Sequence, residues 1–77
     1  MTKSFDDLRA ELANEIRQSR RQLGLSQEAL ALQAEVDRTY VSQLERGVAN
    51  PSLLILHRLA VVLGVNLSVS LHGPRDV

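Results

Sequence analysis

The chain predicts an all-α fold, a small bundle of four main helices closed by one C-terminal strand, and three observations carry that expectation. Apolar residues are 44% of the 77 residues while aromatics are only 3%, so the core must be aliphatic. Such a composition suits helix-on-helix packing better than a sandwich or barrel. Two prolines and four glycines leave long stretches free to be helical. Apolar residues also recur at spacings of three and four through most of the chain, the signature of amphipathic helices. At 8.5 kDa there is chain enough for one small core and no second one.

Each element has its own markers. Ser4 reads as the cap of a first helix, with Asp7 three residues on in capping-box position and Asp6 and Asp7 complementing the positive end. Phe5, Leu8, Leu12, Ile16, Ser19 and Leu23 then make one narrow stripe, and Gly24 supplies the stop. Ser26 caps a second helix from about Gln27 to Ala34, whose inner face is Leu30, Ala31 and Ala34. Glu35 and Val36 form a tight connection. Asp37 caps a third helix with Val41 and Leu44 inward, ending at Gly47. After Val48-Ala49-Asn50-Pro51, Ser52 caps a fourth helix, Leu53 to Leu63, stopped at Gly64.

The fourth helix is apolar on more than one face, with only His57 and Arg58 polar. Val65, Leu67, Val69 and Leu71 then alternate with Asn66, Ser68, Ser70 and His72, which is strand periodicity. A single strand needs a partner for its backbone groups. The same segment of a second copy, paired about a two-fold axis, would supply one and would cover the spare face of the fourth helix. Leu54, Ile55, Val62, Val65, Leu67, Val69 and Leu71 are therefore the expected homodimer interface. The expected organisation is a domain over residues 1–64, a dimerisation strand over 65–72 and a flexible tail over 73–77.

Charge and composition exclude several functions. Without cysteine there is no disulfide or thiolate, and two distant histidines do not make a zinc site. No glycine-rich phosphate loop and no nucleophile motif occurs, so an enzyme is not expected and neither is a cofactor. No secretory segment or membrane span is legible, and the expectation is a cytoplasmic protein. Nine basic and nine acidic residues cancel, which argues against coating nucleic acid by bulk charge. Their distribution is uneven: residues 17–50 carry five arginines against four acids, and eight of the nine basic residues are arginine.

Two short helices joined by a tight turn form helix-turn-helix geometry, which presents the start of its second helix to the DNA major groove. The run LGLSQEALALQAEVDRTYVSQLERGVANPS, residues 23–52, closely resembles the lambda-repressor-like helix-turn-helix family, often called the XRE family. The resemblance extends over residues 5–65. SQ at the start of the second helix, VSQLERG closing the third and NPS before the fourth are typical of it. Glu35 departs from the pattern, standing where the family usually has glycine in the turn.

Position on the third helix makes Arg38, Thr39, Tyr40, Ser42 and Gln43 the expected base readers. Arg38 suits guanine O6 and N7, Thr39 a thymine methyl, and Gln43 adenine or a neighbouring phosphate. Tyr40 has a rival role, with its ring packed on the domain and only its hydroxyl on a phosphate. Gln27 resembles the family's residue that clamps backbone phosphate beside the reading helix. Asn50 and Ser52 are placed to hold another phosphate, and Arg46 and Arg17 are further candidates. The resemblance also implies an internal ion pair between Arg20 and Glu45, which assigns Arg20 to structure.

The expected function is a sequence-specific DNA-binding transcriptional regulator, a homodimeric repressor on a palindromic operator. The C-terminal strand resembles that of HipB-type antitoxins, which implies autorepression of a toxin–antitoxin operon and a toxin partner. Restriction–modification controllers and small phage repressors share the DRTY-type recognition helix and stand as alternatives. A protein-interaction module with secondary DNA contact, favoured by the neutral net charge, is the reading from another class.

Overall fold

The computed structural model describes residues 3–71 and Gly73. Its four helices are α1 (Phe5–Gln22), α2 (Gln27–Ala34), α3 (Arg38–Glu45) and α4 (Leu53–Leu63). All four begin at the capping residues legible in the sequence. The Ser4 hydroxyl accepts from the Asp7 N–H at 3.0 Å, Ser26 from Ala29 at 3.0 Å and Ser52 from Ile55 at 3.1 Å, while the Asp37 carboxylate accepts from Thr39 at 2.8 Å. Each bond satisfies one of the N–H groups that a helix start leaves open.

The core lies where α2, α3 and α4 meet, with α1 packed across α3. Leu30, Val41, Leu44 and Leu59 are fully buried, joined by Ile16, Ala31, Ala34, Ala49 and Leu63. Withdrawing a leucine of this kind from water contributes about 2 kcal/mol, so a handful of aliphatic side chains holds helices as short as eight residues. The connections between α2, α3 and α4 are short, which fixes α3 with its apolar side inward and its first turn at the surface.

Two expectations are revised by the fold. The α1 stripe is buried only in its middle: Leu12 and Ile16 meet the core, Phe5, Leu8 and Leu23 are exposed, and Ala13 is buried instead. The helix reaches past the elements it packs on, so periodicity marked the face but not the length that is covered. The C-terminal strand is not formed, and there is no strand among the described residues. Val65 to Leu71 run as irregular chain, with Leu67 and Val69 lining an apolar groove together with Leu53, Leu54 and His57 of α4. Alternation of apolar and polar residues sets which side chains face one way, but a ladder needs a second strand, and this segment has none beside it. His72 and residues 74–77 of the expected tail lie outside the described residues.

Among the described residues no helix is long and apolar enough to cross a membrane.

Candidate nucleic-acid interface

The turn between α2 and α3 sets the angle at which α3 leaves the core. Glu35 occupies it with φ 59° and ψ 43°, a left-handed conformation, and its N–H closes the end of α2 on the Leu32 carbonyl at 3.3 Å. The position that usually carries glycine therefore takes the glycine-like geometry here with a glutamate. For a non-glycine residue this costs about 1–2 kcal/mol.

Past the turn, α3 divides cleanly. Val41 and Leu44 point into the core, and Arg38, Thr39 and Gln43 are exposed, with Ser42, one turn after Arg38, half-buried. Arg38, Thr39 and Gln43 thus share one solvent-facing surface that opens at the N-terminal end of the helix. Tyr40 is half-buried against the core, and its hydroxyl donates to the Asn50 carbonyl at 3.3 Å. That bond ties the third helix to the loop before α4, so the ring is packed on the domain while the hydroxyl is engaged by a carbonyl of its own chain.

A polar network closes the other end of α3. The Arg20 guanidinium grips Glu45 with two bonds, Nε to Oε2 at 2.6 Å and Nη2 to Oε1 at 2.9 Å, and its Nη1 reaches the Leu25 carbonyl at 2.8 Å. The internal pair implied by the resemblance is in place. Gln27 Nε2 also donates to Glu45 Oε1 at 3.1 Å, and Arg17 Nη2 donates to the Glu45 carbonyl at 2.6 Å. Burial of the Glu45 side chain, only 3% exposed, pushes its carboxyl up. Hydrogen bonds from Arg20 and Gln27 and the charges of Arg20 and Arg17 outweigh that, and hold it below the usual carboxylate range. The hydrogen bond to Glu45 raises Arg20 in turn, against a smaller opposing effect of burial.

The phosphate candidates fall in two places. Gln27, Arg17 and Arg46 border an open depression between α1 and the end of α3. Asn50 and Ser52 are exposed in the loop leading into α4 and do not line that depression. Arg17 does not stand free, because its guanidinium already serves the Glu45 carbonyl at the end of α3. Arg21, which sequence reasoning passed over, lines the same depression. It lies off the apolar stripe of α1, and nothing in the linear pattern separates it from an ordinary solvated arginine. Among the expected interface residues, Ile55 and Val62 pack against the core of their own chain, while Leu54, Val65, Leu67, Val69 and Leu71 are exposed.

An α3 whose outer face is exposed and whose inner face is locked on α2 has the form of the second helix of a helix-turn-helix pair. The profile of the HTH_3 helix-turn-helix family matches residues 16–69. The chain belongs to the HTH_3 helix-turn-helix family. The control protein C.MunI of Mycoplasma sp is 38% identical over 65 residues, 83% of this chain and 88% of that one. A hypothetical transcription factor of Neisseria meningitidis serogroup B is 49% identical over 70 residues, 91% of this chain and 66% of the relative. In solved structures, the restriction–modification controller C.AhdI of Aeromonas hydrophila superposes with a TM-score of 0.74 at 38% identity, over 75% of this chain and 88% of the other. As an HTH_3 member with such relatives, the chain is a DNA-binding transcriptional regulator. The similarity extends to controllers and to a hypothetical transcription factor.

Proposed function

We propose that this regulator acts as a homodimeric repressor that reads a palindromic operator with the first turns of α3. The observation that carries the reading is the division of that helix: Arg38, Thr39 and Gln43 stand in solvent while Val41 and Leu44 anchor the backbone beneath them. Arg38 would pair with the O6 and N7 edge of guanine, Thr39 with a thymine methyl, and Gln43 with adenine or the phosphate beside it. Ser42, which the helical repeat sets between Arg38 and Thr39, would add a hydroxyl to the same surface. Tyr40 contributes by fixing α3 to the loop at Asn50. Gln27 on one side of the groove, and Asn50 and Ser52 on the other, would set register through phosphate contacts that carry no sequence information.

Two such helices must face one side of the duplex about 34 Å apart, which calls for a two-fold dimer. Exposed Leu54, Val65, Leu67, Val69 and Leu71 form the surface on which the second copy would close. Pairing of the two C-terminal segments would give the alternating residues the partner that one chain lacks. The controller names among the relatives favour regulation of a restriction–modification operon over an antitoxin role with a toxin partner. Either use would employ the same DNA surface.

A gel shift against genomic fragments tests the proposal. The wild-type chain should bind one palindromic site tightly and with strong salt dependence, and Arg38→Ala combined with Thr39→Ala should abolish that preference. Equal binding of all fragments by both proteins would refute the assignment of the readers.

A further inference from the structure

The face of α4 turned away from the core is apolar except at its centre. Leu53, Leu54 and Val61 are each more than half exposed. The helical repeat sets His57 one turn after Leu53 and one turn before Val61, with Leu54 beside it. Val65 to Leu71 fold back toward the start of that helix, so that Leu67 and Val69 line one apolar groove with Leu53, Leu54 and His57. The backbone of residues 66–71 makes no hydrogen bond to other backbone among the described residues. A second copy of the same face supplies both things this one lacks, apolar cover and backbone partners.

Charge around His57 is one-sided. Arg58 follows it in the helix, at the edge of the exposed face. On the buried side of α4, α2 carries Glu28 with Glu35 at its end, and neither forms an ion pair with His57. The segment from Val65 to Leu71 has no titratable side chain, and no acid occurs from Arg46 to Leu71. In a two-fold interface the same patch lies on both sides. Closing this face on its copy therefore buries two imidazoles and brings no carboxylate from that stretch of either chain. A neutral imidazole has one donor and one acceptor to satisfy there, whereas an imidazolium would give up its hydration with no countercharge in return.

We infer that His57 makes the homodimer pH-gated: two copies close on each other while its imidazole is neutral and separate once it is protonated. The inference rests on the homodimer reading above and adds a regulation to it. Protons bind the separated copies more readily than the dimer, so acid moves the equilibrium toward monomer, with two sites titrating for each dimer that opens. Because a palindrome is read by two copies at once, binding to it falls in the same range.

Sedimentation of the full chain at constant ionic strength tests this on wild type, on the neutral replacements His57→Gln and His57→Leu, and on His72→Gln for the other histidine. Between about pH 8 and about pH 5.5 the wild-type dimer should weaken about a hundredfold, the product of two imidazoles of ordinary basicity. His72→Gln should follow wild type, and both His57 variants should keep one dimer affinity across the range. A wild-type affinity that does not change with pH, a loss of the same size in both His57 variants, or an effect that disappears in His72→Gln would overturn the inference and leave the homodimer standing. Circular dichroism on the same samples should keep its helical signal, and loss of that signal together with the dimer would assign the effect to unfolding and overturn the inference as well. A wild type that is monomeric at every pH would instead overturn the homodimer reading itself.

Discussion

Glu35 is where this chain departs most visibly from the backbone chemistry its turn requires. Its left-handed conformation is strained for any residue with a Cβ, and glycine would relieve about 1–2 kcal/mol while adding freedom to the unfolded chain that takes back roughly half. Glu35→Gly should therefore stabilise by about 0.5 kcal/mol, a rise of about 3 °C in Tm, and Glu35→Val should lower Tm. A calorimetric scan that ranks glycine below the wild type would refute the strain argument. Glu45 makes the opposite case, a charged residue without which the fold suffers. Glu45→Gln leaves Arg20, whose side chain is 12% exposed, without its countercharge, and should cost about 3 kcal/mol at neutral pH. Because the folded carboxyl lies below its unfolded value, the stability it contributes is present above the usual carboxylate range. That contribution is lost as pH falls through the folded value. Urea titrations should thus find the gap between wild type and Glu45→Gln closing below about pH 4.

At the scale of elements, α3 is eight residues long and too short to hold its shape alone. It depends on the Asp37 cap at one end, the Arg17 and Glu45 contacts at the other, and Val41 and Leu44 beneath. Asp37→Ala should cost about 1 kcal/mol. Since the lost bond is at Thr39, the first turn should fray, and binding of a cognate site should weaken more than binding of mixed-sequence DNA. Gel shifts on both duplexes check this, and an equal loss on the two would assign the cap to stability alone. Where α1 nears the end of α3, a Cβ at Gly47 would lie 3.8 Å from the Arg9 carbonyl, an ordinary contact, but at a φ of +75°. Space permits a side chain there, but the backbone conformation disfavours one.

For the molecule as a whole, the question is what covers the exposed apolar residues of α4 and the segment after it. Truncation after Val65 keeps the bond from its N–H to the Ala60 carbonyl, 3.1 Å, so the end of α4 remains capped. The shortened chain should sediment as a monomer while the full chain sediments as a dimer. A dimer of unchanged strength after truncation would exclude the C-terminal segment from the interface. Because two-fold pairing brings two DNA surfaces together, the monomer should also lose most of its affinity for a palindromic site while keeping the weak binding of a single half.

Local chemistry alone determined where the helices begin and which faces of α2 and α3 point inward. A cap is a bond across three residues or fewer, and an amphipathic face is set by helical repeat, so both can be read without a partner. Resemblance then supplied the pairing of Arg20 with Glu45, residues 25 positions apart. What only the tertiary structure decided was which charges are spent. Arg17 and Arg21 look alike in the sequence, yet one is consumed by the α3 terminus and the other lines an open depression, because the crossing of α1 over α3 places them differently. The same holds for the ends of the chain. Periodicity in α1 and after Gly64 named a face, but whether that face is covered depends on how far neighbouring elements extend, a long-range fact that no local pattern carries.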